Sequence, residues 1–298
     1  MTERTGGTAA EASDGDAPGK PRPGLHVVAT PIGNLQDLSP RARLVLAAAD
    51  LVLCEDTRVT GGLLHRLGLK RPMLAYHEHS AARVRPLALD RLAAGAVVAL
   101  VSDAGTPCIA DPGYKLVRAA IEQGIEVVAV PGPSALLAAL AISGLPTDRF
   151  FFQGFLPTRP AARDAVLAEL APIPATLVIY ESPHRIAPTL AAAAATLGPR
   201  EAAVGRELTK RFEEMQRGTL DVLAARFAAQ ARVRGELVLV VAPPDPAAAA
   251  PLPAEDVDAQ LRAALLTEPP RRAAAAVAAR TGQSANQLYR RALALRRP

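Results

Sequence analysis

Five short apolar runs recur along the first half of the chain: Gly24–Thr30, Leu51–Cys54, Met73–Tyr76, Gly95–Leu100 and Ile125–Val130. Each is too short for a buried helix and is bounded by Gly, Pro or charged clusters, so each predicts a strand. The stretches between them carry helical spacing, as in Tyr114–Ile121, or a helix start, as at Ser39-Pro40, where an N-cap side chain precedes a proline at the first helical position. Strand and helix in alternation predict a mostly parallel α/β sheet. The loops after the five strands should then line one edge of it.

From Arg149 the pattern restarts. It predicts strands over Arg149–Phe155, Thr176–Tyr180, Ala202–Arg206 and Glu236–Ala242. Helices are predicted over Ala161–Leu170 and Pro183–Leu197, and a strand followed by a helix through Arg217–Gln230. Pro243–Pro253 reads as a linker. Beyond it Ala254–Leu266, Arg271–Arg280 and Ala285–Leu295 predict three short helices, the last two joined by Thr281-Gly282-Gln283-Ser284 in the manner of a helix-turn-helix. The expected organisation is a disordered arm over residues 1–23, α/β domains over 24–145 and 146–242, the linker 243–253 and a helical tail over 254–298. Residues 1–23 are polar, contain Gly and Pro, and have no period.

The loop Ser102-Asp103-Ala104-Gly105-Thr106-Pro107, followed by Asp111-Pro112-Gly113, is the densest chemistry in the first half. It follows a buried strand, where open α/β sheets place their ligands. Its glycines admit close backbone turns and its prolines remove donors and stiffen the chain, which leaves Asp103 and the free amides aimed at something small and polar. No G-x-G-x-x-G occurs, which excludes an ordinary dinucleotide site. Glu55, Asp56, His77 and His79 match no zinc spacing, and no metal is expected.

Composition narrows the function further. Aromatics make up 3% and Trp is absent, which disfavours a binding mode built on many stacked rings. Two cysteines, Cys54 and Cys108, no signal-peptide order and no membrane-length apolar run point to the cytoplasm. The net charge of +5 is unevenly spread. Pro269–Pro298 holds seven arginines and no acid, while the remainder has 27 Lys and Arg against 29 acids. A basic tail of that kind suits a polyanion, most simply RNA.

The order of the loops carries a resemblance. Ala29-Thr30-Pro31-Ile32-Gly33-Asn34-Leu35, Glu55-Asp56-Thr57-Arg58, Ser102–Pro107 with Asp111–Gly113, Pro131-Gly132-Pro133-Ser134-Ala135, Tyr180-Glu181-Ser182-Pro183-His184-Arg185 and Arg206-Glu207-Leu208-Thr209-Lys210 together resemble the tetrapyrrole methylase superfamily. Within it they are similar to the bacterial branch that methylates small-subunit ribosomal RNA. The resemblance runs from about Leu25 to Ala242 and loosely into the basic tail. It implies a two-domain α/β tetrapyrrole methylase (class III methyltransferase) fold with a small C-terminal helical appendage, and a homodimer. It implies S-adenosyl-L-methionine (SAM) as cofactor, folded between the domains. The implied reaction is 2′-O-methylation of a cytidine ribose in the decoding centre of 16S rRNA in the small ribosomal subunit.

Carried over loop by loop, the cofactor should meet Pro31, Gly33, Asp103, Ala104, Gly105, Thr106, Ser134 and Ala135, with Tyr180 and Leu208 closing over it. Candidates for taking the hydroxyl proton are Glu181, His184, Glu55, Asp56 and Glu207, with Glu181 preferred because cations adjoin it. Arg58, Arg185, Arg206 and Lys210 are expected on phosphates near the target, and Arg271, Arg272, Arg280, Arg290 and Arg291 on the RNA backbone. Two alternatives remain: a methylase of the same fold acting on a corrinoid, precorrin or protein side chain, and a non-catalytic ribosome-associated binding module. Neither a small-molecule nor a protein-side-chain methylase has an evident use for the basic tail.

Overall fold

A computed structural model describes residues 21–109, 113–245, 254–281 and 283–295. Residues 1–20 of the expected arm, residues 246–253 of the expected linker, Asp111 and Pro112 of the central loop, and Gly282 of the helix-turn-helix lie outside the described residues. The chain divides into two compact units. One comprises the residues up to Ala138 together with Glu207–Glu214, the other Ala139–Arg206 and the residues from Met215 onward.

The first unit holds strands β1 (Gly24–Val28), β2 (Leu51–Cys54), β3 (Met73–Ala75), β4 (Val97–Leu100) and β5 (Val127–Val130). They form one sheet in the order β3-β2-β4-β1-β5, and every pairing in it is parallel. The connecting helices are α1 (Pro40–Ala48), α2 (Thr57–Arg66), α3 (Ala81–Ala93) and α4 (Tyr114–Glu122). Alternation along the strands decides which helix covers which face. Leu51 and Leu53 of β2 and Val98 and Leu100 of β4 pack with Val84, Ala88 and Leu92 of α3 and Leu116 and Ala120 of α4. Val52, Cys54 and Ala99 point the other way, into Ala42, Val45 and Leu46 of α1 and Leu64 of α2. Both faces are buried, which is why the strands read as unbroken apolar runs.

Helix α5 (Ala135–Ser143) follows β5. The second unit has strands β6 (Phe150–Phe155), β7 (Thr176–Glu181), β8 (Glu201–Arg206), β9 (Glu214–Thr219) and β10 (Leu237–Val241), with helices α6 (Pro160–Leu170), α7 (Ile186–Leu197) and α8 (Leu220–Ala228). Its sheet order is β6-β7-β10-β8-β9. Here the pairing is mixed: β6 runs parallel to β7, whereas β10 is antiparallel to both β7 and β8. Leu177, Ile179, Val204, Leu237 and Leu239 face one core shared with Leu167, Leu190, Leu223 and Phe227 of the three helices.

Several predicted boundaries move by a few residues, two of them for reasons that shape the loops. The first strand ends at Val28, and Thr30 instead makes an isolated antiparallel bridge to Gly105, with amide-to-carbonyl bonds of 2.9 and 3.0 Å. Helix α7 starts at Ile186 because Pro183–Arg185 forms a turn that closes on the Ser182 carbonyl. The tail helices are α9 (Ala254–Leu265), α10 (Pro270–Thr281) and α11 (Ala285–Leu295), held by Val257, Leu261, Ala274, Val277, Leu288 and Ala292.

Candidate active site

The loops at the carboxyl ends of β1, β4 and β5 are tied to one another by their own polar groups. Thr30 Oγ1 donates to the Ser102 carbonyl at 3.1 Å, Ser102 Oγ donates to the Gly105 carbonyl at 3.3 Å, and Thr106 Oγ1 donates to the Pro133 carbonyl at 3.1 Å. Gly105 has φ +83°, a left-handed geometry open to glycine, and that turn is what returns the loop to Thr30. Ala104, exposed, stands at the tip, while Ser134 and Ala135 open α5 and are half-buried. The predicted cofactor residues of the first unit are therefore gathered at one sheet edge.

Asp103 links two of these loops. Its Oδ1 accepts from the Asp56 amide at 3.0 Å. Asp56 is the N-cap of α2, accepting from the Arg58 amide at 2.8 Å, and its carboxylate also takes the Arg58 guanidinium at 2.6 Å. The Arg58 side chain holds the Asp56 carboxyl well below the usual range, at about 2. Glu55, half-buried, shifts the opposite way: burial raises its carboxyl and Asp103 adds to the rise, while His77 opposes it.

A cavity of about 200 Å3 opens beside these groups, lined by Pro31, Gly33, Ser102 and Asp103 and by Val59, Thr60 and Leu63 of α2. The α2 residues were not among those expected from the sequence. Their signal was nevertheless present: with Asp56 as N-cap, positions 59, 60 and 63 share one helix face. The volume falls below the roughly 300–1,000 Å3 usual for a whole small-molecule site.

Segment 207–214, which groups with the first unit, brings Lys210 to Gly33. A Cβ on Gly33 would collide with the Lys210 side chain, and Gly33 itself has φ +153°. Lys210 Nζ pairs with Glu207 at 3.0 Å, and Glu207 and Thr209 both adopt left-handed angles, φ +49° and +64°. Strained non-glycine residues on either side of buried Leu208 mark a loop whose surroundings over-determine it. Thr209 Oγ1 is buried without a hydrogen-bond partner among the described residues.

In the second unit Glu181 is buried, and both carboxylate oxygens are engaged. Oε1 accepts from the Ser182 amide at 2.8 Å and lies 3.4 Å from Arg185 Nε, while Oε2 accepts from Thr189 Oγ1 at 2.7 Å. Arg185 in turn donates to the Leu156 and Pro157 carbonyls at 2.8 and 3.0 Å. The pair braces the loops after β6 and β7. His184 is exposed, Tyr180 half-buried, and Arg206 half-buried and engaged.

Of the tail arginines, Arg271, Arg272 and Arg290 are exposed on the helical surface. Arg291 instead binds Asp258 of α9 through Nε and Nη2, at 2.5 and 3.1 Å, and so ties α11 to α9. Nothing is described of the Arg280 side chain.

Comparison with known proteins agrees with this architecture. The Tetrapyrrole (Corrin/Porphyrin) Methylases pattern matches residues 24–224, and the RsmI C-terminal HTH domain matches residues 250–296. Ribosomal RNA small subunit methyltransferase I of Mesorhizobium japonicum is 50% identical, over 94% of this chain and 95% of its own. The protein of the same name from Pseudomonas aeruginosa is 46% identical, over 90% and 96%. Among solved structures, diphthine synthase shares the fold with a TM-score of 0.55 at 17% identity, over 73% of this chain and 89% of its own. With one pattern covering two thirds of the residues and relatives matched nearly end to end, the chain belongs to the ribosomal RNA small subunit methyltransferase I family of the tetrapyrrole methylases.

Proposed function

We propose that this methyltransferase moves the methyl group of SAM to the 2′-hydroxyl of a cytidine in the decoding centre of 16S rRNA, acting as a cytoplasmic homodimer. The observation that carries the reading is the knitted edge of the first sheet, where Thr30, Ser102, Gly105 and Thr106 fix Asp103 beside a cavity. The relatives named for ribosomal RNA methylation, matched along nearly the whole chain, support the substrate.

The residues fit the cofactor on two counts. A cavity lies against Pro31, Gly33, Ser102 and Asp103, and the orphaned Thr209 hydroxyl has a hydrogen bond to give or receive. Pro31, Gly33, Asp103, Ala104, Gly105, Thr106, Ser134 and Ala135 hold it from the first unit's loops, together with Leu208 of the segment that groups with them. The free carboxylate oxygen of Asp103 suits a cationic ligand. When bound, SAM supplies an electrophilic methyl on a sulfonium that is already a good leaving group.

The chain's own task is alignment of the acceptor oxygen behind that methyl, an effect that supplies roughly 7–11 kcal/mol in well-oriented systems. Glu181 and Asp56 are committed to partners in their own loops, so they position rather than take a proton. Glu207 is paired with Lys210, which leaves Glu55 and the exposed His184 for the 2′-hydroxyl proton. Burial already moves Glu55 toward the range in which a base works best. Exposed Arg58, Arg271, Arg272 and Arg290 contact phosphates.

Transfer of labelled methyl from SAM to small ribosomal subunits lacking the modification tests the reading. Label on one ribose of 16S rRNA, lost with Asp103→Ala, is the expected result. Cofactor binding with no label on subunits or free rRNA overturns it.

A further inference from the structure

The chain has six phenylalanines, and four of them lie in β6. An edge strand is an unusual place to concentrate scarce aromatic rings, and Phe150, Phe151 and Phe155 are 44%, 40% and 57% exposed. Their arrangement is set by a bulge. Phe152 is in register with Val178 of β7 and Phe155 with Tyr180, so three residues of β6 span what two cover on β7. The irregularity falls between Phe152 and Gly154, and Gly154 has φ +72°.

The consequence is a change of face. Without the bulge, side chains three apart would point to opposite sides of the strand. With it, Phe152 and Phe155 both reach Tyr180, ring centroids 4.9 and 5.6 Å away and planes inclined by 70° and 63°. Ile179 and Leu177 point into the helices of this unit, so Tyr180 and the two phenylalanines occupy the opposite face. Phe155 is thus held edge-on by Tyr180 in one orientation while more than half its surface stays open.

We propose that Phe155, braced by Tyr180 and Phe152, is a stacking seat for one unpaired base of the substrate RNA strand. This rests on the RNA reading above and adds to it a site that reads the π-face of a base, whereas the arginines touch only phosphate. Charge favours this occupant over a second copy of the chain. The strand is followed by exposed Arg159 and preceded by exposed Arg149 beside exposed Asp148, so its flanks carry a net positive charge that would attract a polyanion. Edge-strand pairing between two copies is the competing use of such a surface.

The test compares wild type with Phe155→Leu, which keeps apolar bulk, and Phe155→Tyr, which keeps the ring. Three quantities are measured: affinity for a single-stranded oligonucleotide of the decoding-centre sequence, affinity for SAM, and sedimentation. One base–ring stack corresponds to about 5- to 150-fold in affinity. Phe155→Leu is expected to lose oligonucleotide affinity in that range with SAM affinity and sedimentation unchanged, and Phe155→Tyr to bind as wild type. Equal oligonucleotide binding by Phe155→Leu overturns the seat while leaving the RNA reading intact. A shift in sedimentation with Phe155→Leu overturns it in favour of a contact between copies. If wild type neither binds the oligonucleotide nor methylates small-subunit RNA, both readings fall together.

Discussion

Lys210 lies across Gly33 so closely that a β-carbon on the glycine would collide with its side chain. Gly33 belongs to the loop after the first strand and Lys210 to a segment almost 180 residues later, yet both group with the first unit. Gly33→Ala is expected to destabilise the protein by about 1–3 kcal/mol through crowding and an unfavourable φ, and to weaken SAM binding. Urea unfolding and calorimetric titration read the two effects. Lys210→Ala added to Gly33→Ala should restore part of both, because the two sites share one contact. No recovery in the double variant would show that backbone strain alone is responsible.

Asp56 contributes stability that depends on pH. Its folded value is near 2, held down by Arg58, against about 3.9 in an unfolded chain. The folded state therefore binds fewer protons than the unfolded one through this interval, so the contribution is complete above about pH 4 and disappears as pH falls through about 2. Asp56→Asn keeps the N-cap acceptor and removes the charge. Acid titration of thermal stability should fall less steeply for Asp56→Asn than for wild type between pH 4 and 2, and equal slopes would contradict the pairing.

Glu181 is expected to reveal itself through folding. Glu181→Ala leaves the Thr189 hydroxyl and the Ser182 amide without their acceptor, at about 1–3 kcal/mol for each buried group left unpaired. Glu181→Gln keeps one acceptor oxygen and should lose less. Methyl-transfer turnover per folded molecule should stay within about tenfold of wild type for Glu181→Gln. Glu55→Gln should lower it by about 10²–10⁴-fold if Glu55 takes the proton. A loss of that size with Glu181→Gln at unchanged stability would return the proton to Glu181.

The tail arginines should separate into two behaviours. Arg271→Ala and Arg272→Ala remove exposed cations and should each lessen the salt slope of RNA binding by about 0.7 per phosphate contact on a single strand. Arg291→Ala breaks the link to Asp258 and should loosen the helical tail, seen as faster proteolysis near α11. Equal salt slopes for all three variants with unchanged proteolysis would show that Arg291 serves RNA as the others do.

The thiols give a simple check on burial. Cys54 is fully buried, and burial pushes its thiol up to about 11. At pH 8 a thiol reagent should modify half-buried Cys108 well before Cys54, which should react only as the protein unfolds.

Three features of these loops depend on contacts that no local pattern shows. Arg185 and His184 follow Glu181 in the sequence, but only the fold brings the hydroxyl of Thr189, in the first turn of α7, to its carboxylate. Arg185 looked like a phosphate ligand, and its guanidinium is occupied by carbonyls nearly thirty residues upstream. Low aromatic content concealed the clustering of four rings in β6, since an average over the chain says nothing of where the rings lie.

The sequence by itself determined the strands, the helices and the chemistry of the loops between them, because alternation, capping and glycine or proline placement act over a few residues. Val98 and Ala99 must point apart in any strand, and Ser39 caps a helix that opens at Pro40. Only the tertiary structure decided the strand orders, the antiparallel β10, the return of Lys210 to Gly33, and the bulge that turns Phe152 and Phe155 toward Tyr180. Those depend on which distant segments pair and in what register, and register is selected by the packing of whole faces rather than by any local pattern.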